Sequence, residues 1–136
     1  MDPNSRKVKW WRQGLTRRQH DPDWNARGTI TIFDNNMHRD YSRVFELDPQ
    51  SFTADIVVDG EAYDFYSWHR GKHQVMPQGG YMVTSSEQGR VFETDGNGDV
   101  VFEFFNRFSD SGRNLVVSEG RFFAPDYFDE FPSCSS

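Results

Sequence analysis

Apolar residues in this chain come in short alternating or continuous runs, set between turns rich in Gly, Asp, Asn and Pro. That punctuation predicts strands rather than helices. Strands are expected at 7–11, 29–33, 43–47, 53–58, 63–66, 81–84, 90–94, 100–105, 115–118 and 121–123. The runs also repeat. Ser42-Arg43-Val44-Phe45-Glu46-Leu47-Asp48 returns 47 positions later as Gly89-Arg90-Val91-Phe92-Glu93-Thr94-Asp95, and Asp2 stands 46 positions before Asp48. Each of these aspartates opens a turn that leads into a further apolar run, at Val8, Ala54 and Val100. Gly120-Arg121-Phe122-Phe123 reads as a third, worn copy of the Arg-Val-Phe strand.

A period of about 40–50 residues made of strands and turns belongs to stacked sheet units such as propeller blades. The expected fold is therefore all-β: β-propeller blades, about two complete four-stranded blades plus partial ones. The whole of 1–136 forms one partial propeller domain, with units near 1–47, 48–94 and 95–136. Closed propellers use about 4–8 blades. The chain thus reads as the C-terminal fragment of a larger protein, or as one that self-associates to supply missing blades. The turn Asp2-Pro3 directly after Met1 favours the first option.

Composition agrees with strands. There are three leucines and four alanines against 13 Phe, 5 Tyr and 4 Trp, a poor helix mixture and a good sheet one. A net charge of −6 argues against a broad nucleic-acid surface. No apolar run is long enough to span a membrane, and the polar N-terminus lacks a signal-peptide pattern. The single Cys134 can form no internal disulfide and offers no metal-site spacing.

Two features stand out against the repeat. Gly28 lies 15 positions before Arg43, but Gly80 only 10 before Arg90, and the surplus falls in the loop Asn35-Asn36-Met37-His38-Arg39-Asp40-Tyr41. Expanded loops on a rigid sheet collect binding groups, although a neutral insertion at a loop tip looks the same. Secondly, Gln19-His20-Asp21 precedes Gly28 by nearly the interval at which His73-Gln74 precedes Gly80. Equivalent places on adjacent blades would bring His20 and His73 to one channel opening, as nucleophile, base or ligand. A hydrogen-bonded structural role is the alternative for each. His38 and His69 have no such register in their favour.

Arg17, Arg18, Arg39 and Arg43 crowd the same region, and guanidinium groups beside an imidazole suit a tetrahedral oxyanion. Arg17 and Arg18 read better as a solvated loop, and Arg43 recurs as Arg90, which equally suits a structural pairing across blades. The stretch from Asp95 to Asp99 begins like a calcium loop. It has Val100 where Gly is needed and Asn106 where Glu is needed, so it reads as a hairpin turn. His20, Asp21, Asp23 and Asp34 match no standard metal spacing, and neither metal nor cofactor is expected.

Gln19-His20-Asp21, Gly28 with Thr29-Ile30-Thr31-Ile32-Phe33-Asp34-Asn35, and Ser42-Arg43-Val44 together resemble the bacterial arylsulfotransferase family. Gln74-Val75-Met76-Pro77-Gln78-Gly79-Gly80-Tyr81-Met82-Val83 with Gly89-Arg90-Val91-Phe92-Glu93 resembles its next blade, so the likeness runs from Asp2 to about Phe104. The resemblance implies a six-bladed propeller in a periplasmic or secreted enzyme. Such an enzyme moves a sulfuryl group from a phenolic sulfate ester to a phenol through a sulfated histidine, without a nucleotide donor. It also implies that His20 binds or polarises the sulfuryl oxygens, that Arg39 or Arg43 is the anion-binding arginine, and that Asn35 belongs to the substrate site. His73 is a second catalytic candidate. Other expectations remain beside this one: a non-catalytic propeller that binds a ligand or protein at the same mouth, or an inactive truncated remnant.

Overall fold

The computed structural model describes residues 1–109 and 112–130. Two four-stranded antiparallel sheets dominate it, each built from consecutive strands. The first comprises β1 (Gln19–Trp24), β2 (Ile30–Asp34), β3 (Arg43–Leu47) and β4 (Ala54–Asp59). One short helix, α1 (Gly60–Tyr63), leads on to the second sheet of β5 (Lys72–Val75), β6 (Tyr81–Ser85), β7 (Arg90–Thr94) and β8 (Val100–Phe105). A two-stranded ribbon, β9 (Arg107–Phe108) with β10 (Arg113–Asn114), follows. Cys134 lies outside the described residues.

The two sheets repeat in hydrogen-bond detail. Asp34 pairs with Arg43 as Ser85 pairs with Arg90, and Phe33 with Val44 as Thr84 with Val91. After each outer strand the chain returns in the same way. Gly60 N–H donates to Ser42 O (2.9 Å) as Asn106 N–H donates to Gly89 O (2.8 Å). Phe65 N–H then donates to Gly60 O (3.0 Å), and Leu115 N–H to Asn106 O (2.7 Å). The repeated aspartates share one task. Oδ1 of Asp2, Asp48 and Asp95 accepts the N–H two residues on, at 2.9, 2.7 and 2.8 Å. All three carboxyls lie below their ordinary pKa, Asp2 and Asp48 chiefly through those bonds and Asp95 first through the Asp99 N–H and then that of Asn97. Asp95 thus caps a turn, with Oδ1 also taking Asp99 N–H at 3.0 Å.

The core lies between the sheets. Phe33, Val44 and Val58 of the first meet Val83 and Phe92 of the second across Phe65, all fully or almost fully buried. Phe65 sits 6.1 Å from the Phe33 ring and 5.5 Å from the Phe92 ring, so the return segment joins the sheets through tilted aromatic pairs. Glu46 ties them at the turn end, accepting from Arg27 Nη2 (2.7 Å) and Tyr81 Oη (3.5 Å).

Several sequence expectations are corrected. The stretch 7–11 finds no strand partner; its Trp10 ring instead meets Phe52 edge-on at 6.0 Å. Tyr63 closes α1, because Asp59 caps the Glu61 N–H and Asp64 turns left-handed at φ 50°, so 63–66 is no strand. The stretch 115–118 bonds to loop carbonyls of Asn106 and Ser86 rather than to a ladder. Gly120-Arg121-Phe122 occupies the place beside β5 that Gly71-Lys72-His73 occupies beside β1. Phe122 N–H donates to the Gln74 side chain (3.0 Å) as His73 N–H donates to the Asp21 side chain (2.9 Å). It forms no strand and so does not copy the Arg-Val-Phe strand.

Candidate functional site

The first strand of each sheet, β1 and β5, escaped the sequence reading. β1 contains a proline and is exposed at every position but Asp21, which an edge strand tolerates. A bulge between His20 and Asp23 breaks its pairing with β2, and Asp21 sits there at φ 52°. Bulges re-aim side chains. This one directs the Asp21 carboxylate to the second sheet, where Oδ1 meets Lys72 Nζ at 2.8 Å and Oδ2 meets His73 N–H at 2.9 Å.

The ladders also change the equivalences. His20 pairs with Phe33, whose counterpart Thr84 pairs with Lys72, while His73 pairs with Val83. Lys72, not His73, therefore stands on the rung of His20. The His73 side chain has no solvent exposure. Its Nδ1 lies 3.5 Å from Asp21 Oδ2, and neither ring nitrogen makes a hydrogen bond. Burial pushes its pKa down, against the opposing pull of Asp21 and Asp23, so the ring is neutral. A cleft of about 210 Å³ beside it is bounded by Asp21, Lys72, Glu119 and Arg121.

His20 is different: it is exposed, and neither ring nitrogen has a partner among the described residues. It stands at the end of the first sheet where three segments converge. Residues 17 and 18 continue the pairing with the expanded loop, since Asn35 N–H donates to Arg18 O and Met37 N–H to Arg17 O, both 3.3 Å. Asn35 is fully buried and donates both amide hydrogens across to the return segment, to Ser67 O (2.6 Å) and Arg70 O (2.5 Å). This clamp brings Trp68, His69 and Arg70 beside His38 and Arg39. The His38 ring meets Trp68 edge-on at 6.0 Å, and the Trp68 indole N–H donates to His69. All five of these side chains are exposed.

The two arginine candidates part here. Arg43 donates to Asn36 Oδ1 at 2.7 Å, lies 3.6 Å from the buried Asp34 carboxylate and covers the Phe45 ring. Arg90 repeats the stacking on Phe92 and donates to Tyr63 O at 2.6 Å. Arg43 thus occupies a bracing position. The Arg39 side chain is exposed and has no hydrogen-bond or ion-pair partner among the described residues. His20 and Arg39 are presented to solvent, whereas His73 and Asn35 are sealed. Among the described residues no group of three His, Cys, Asp or Glu side chains is placed to hold a metal ion. No described helix is long and apolar enough to cross a membrane.

Fold and edge together define an all-β protein of two four-stranded antiparallel sheets, with imidazole and arginine side chains beside exposed aromatic rings. A family model described as Arylsulfotransferase (ASST) matches residues 1–107. The chain belongs to the arylsulfotransferase family. A search of curated proteins finds no match. The family carries transferase chemistry on aryl sulfates and phenols at the level of its members.

Proposed function

We propose that the two sheets are successive blades of a propeller whose inner strands line its channel, and that the protein transfers a sulfuryl group from a phenolic sulfate ester to a phenol at the rim of that channel. The observation that carries this reading is His20. Its imidazole is exposed and unpartnered on a paired strand, at the end where Asn35 gathers His38, Arg39 and Trp68. The propeller reading is supported by the exposed outer strand of the second sheet. Phe104 there is 46% exposed, whereas Val58, its counterpart in the first sheet, is 1% exposed under the neighbouring sheet.

In this reading Trp68 stacks on the aryl ring and Arg39 takes sulfuryl oxygens through charge-assisted bonds. The neutral His20 lone pair attacks sulfur. The S–O bond to the phenol breaks and the phenolate leaves with that electron pair. The ring loses its remaining N–H proton to water, leaving an N-sulfated histidine. The oxygen of a second phenol then attacks sulfur, the N–S bond breaks, and proton uptake restores the imidazole. Splitting the transfer in two lowers each barrier, and fixed cations stabilise the charge that develops on oxygen. Asn35 and Arg43 hold the frame. Function outside the cytoplasm follows from the family reading.

The test is release of nitrophenolate from 4-nitrophenyl sulfate in the presence of phenol. Activity dependent on phenol and lost in His20→Ala is expected. Activity unchanged in His20→Ala would remove the assignment.

A further inference from the structure

We propose that Lys72 is a second cation that grips the sulfuryl group, and that Asp21 is the residue that positions it. The inference rests on the sulfuryl-transfer reading above; it adds Lys72, which lies outside the residues that carry the family likeness, and gives Asp21 a role. Three observations carry it. The ladders place Lys72 on the same rung of β5 as His20 on β1. Its side chain is 43% exposed beside the cleft that separates it from Arg121. The Asp21 bulge fixes it, because one carboxylate holds both Lys72 Nζ (2.8 Å) and the N–H of the next residue, His73 (2.9 Å).

That arrangement is preorganised. The ammonium has three donors, and Asp21 uses one, so two remain for an anion. The hydrogen bond that Lys72 donates to Asp21, with that carboxylate's charge, raises the lysine pKa and so favours the charged ammonium. Arg121 takes the corresponding place beside β5, one residue after Gly120, 3.6 Å from Glu119. His20 on β1, Lys72 on β5 and Arg121 on the segment beside β5 then form a row of basic side chains. Asp21, Asp23 and Glu119 line the same cleft as Lys72 and Arg121. Arg43, by contrast, is committed to Asn36 and Asp34.

The experiment titrates the protein with 4-nitrobenzenesulfonate, an unreactive sulfonate, and measures steady-state rates with 4-nitrophenyl sulfate. Lys72→Gln is expected to weaken sulfonate binding and raise the donor KM roughly ten-fold, the loss of one charge-assisted hydrogen bond. The phenol KM should not move. Lys72→Arg should recover most of the loss, and Asp21→Asn should reproduce part of it. Lys9→Gln, on the exposed N-terminal segment, controls for net charge. Sulfonate affinity and donor KM unchanged in Lys72→Gln would overturn the proposal even if turnover still depended on His20. An equal loss for sulfonate and phenol would also overturn it, as a structural defect. Sulfonate binding that needs Lys72 in a protein without turnover would sustain the anion site and remove the transferase reading instead.

Discussion

Replacing Asn35 distinguishes a clamp from a ligand residue. Its amide donates to Ser67 O and Arg70 O with no solvent exposure. In Asn35→Ala the Ser67 carbonyl keeps the Ser42 hydroxyl at 3.3 Å, while the Arg70 carbonyl loses its donor. Losing one backed-up bond and orphaning one partly buried carbonyl costs about 2–4 kcal/mol. At roughly 3–5 °C per kcal/mol, the melting temperature should fall by about 6–20 °C. Asn35→Asp is nearly isosteric and should be worse at neutral pH, because it sets a carboxylate against two carbonyl oxygens. Burial raises the pKa of that introduced carboxyl, so its charged form is the destabilising one. Stability relative to wild type should therefore recover as pH falls and the carboxyl gains a proton to donate. Chemical denaturation at pH 7.5 and pH 4.5 reads both effects. An Asn35→Asp protein as stable as wild type at pH 7.5, yet unable to bind an aryl sulfonate, would refute the clamp and return Asn35 to the substrate.

Other outcomes follow from the same geometry. His73 is buried and neutral, with a pKa below its ordinary 6.5, so the unfolded chain binds the extra proton. Stability should fall as pH drops through that ordinary value, and denaturation curves of His73→Gln should lose this component; a wild type that gains stability over the same window would contradict the burial argument. Gly71 has φ +131° and packs under the Phe33 ring, where an added Cβ would overlap it. Gly71→Ala should cost more than about 3 kcal/mol, whereas Gly14→Ala, with φ +81° and open space, should cost only about 1 kcal/mol. Equal melting temperatures for these two variants would contradict the packing.

Strands with a clear apolar pattern were legible in the sequence. The boundaries of β3, β7 and β8 coincide with the expected ones, because each is a mostly apolar run bounded at both ends by a polar residue or glycine. The first strand of each sheet was not. β1 carries His, Asp, Pro and Asp, and its pairing depends on the neighbouring β2 rather than on any pattern of its own. The misplaced strands at 7–11, 115–118 and 121–123 have strand-like composition but form no ladder; 121–123 lies beside the edge strand β5 and bonds to the Gln74 side chain rather than to its backbone. The site divides similarly. His20 and Arg39 were visible from motif and loop length. The burial of Asn35 and the commitment of Arg43 were not, since both depend on contacts with segments that are distant in sequence or in an adjoining turn. Lys72 was passed over because attention went to the histidines: His20 stands eight positions before Gly28 as Lys72 stands eight before Gly80, and the ladders confirm that interval, whereas His73 falls one residue off it.

The most direct measurement is peptide mapping of the protein after brief exposure to 4-nitrophenyl sulfate without an acceptor, under alkaline conditions that preserve N-sulfated histidine. The account predicts one sulfuryl adduct on the peptide containing His20, discharged when phenol is added and absent from His20→Ala. An adduct on another residue, or phenol-dependent turnover with His20 never modified, would contradict it.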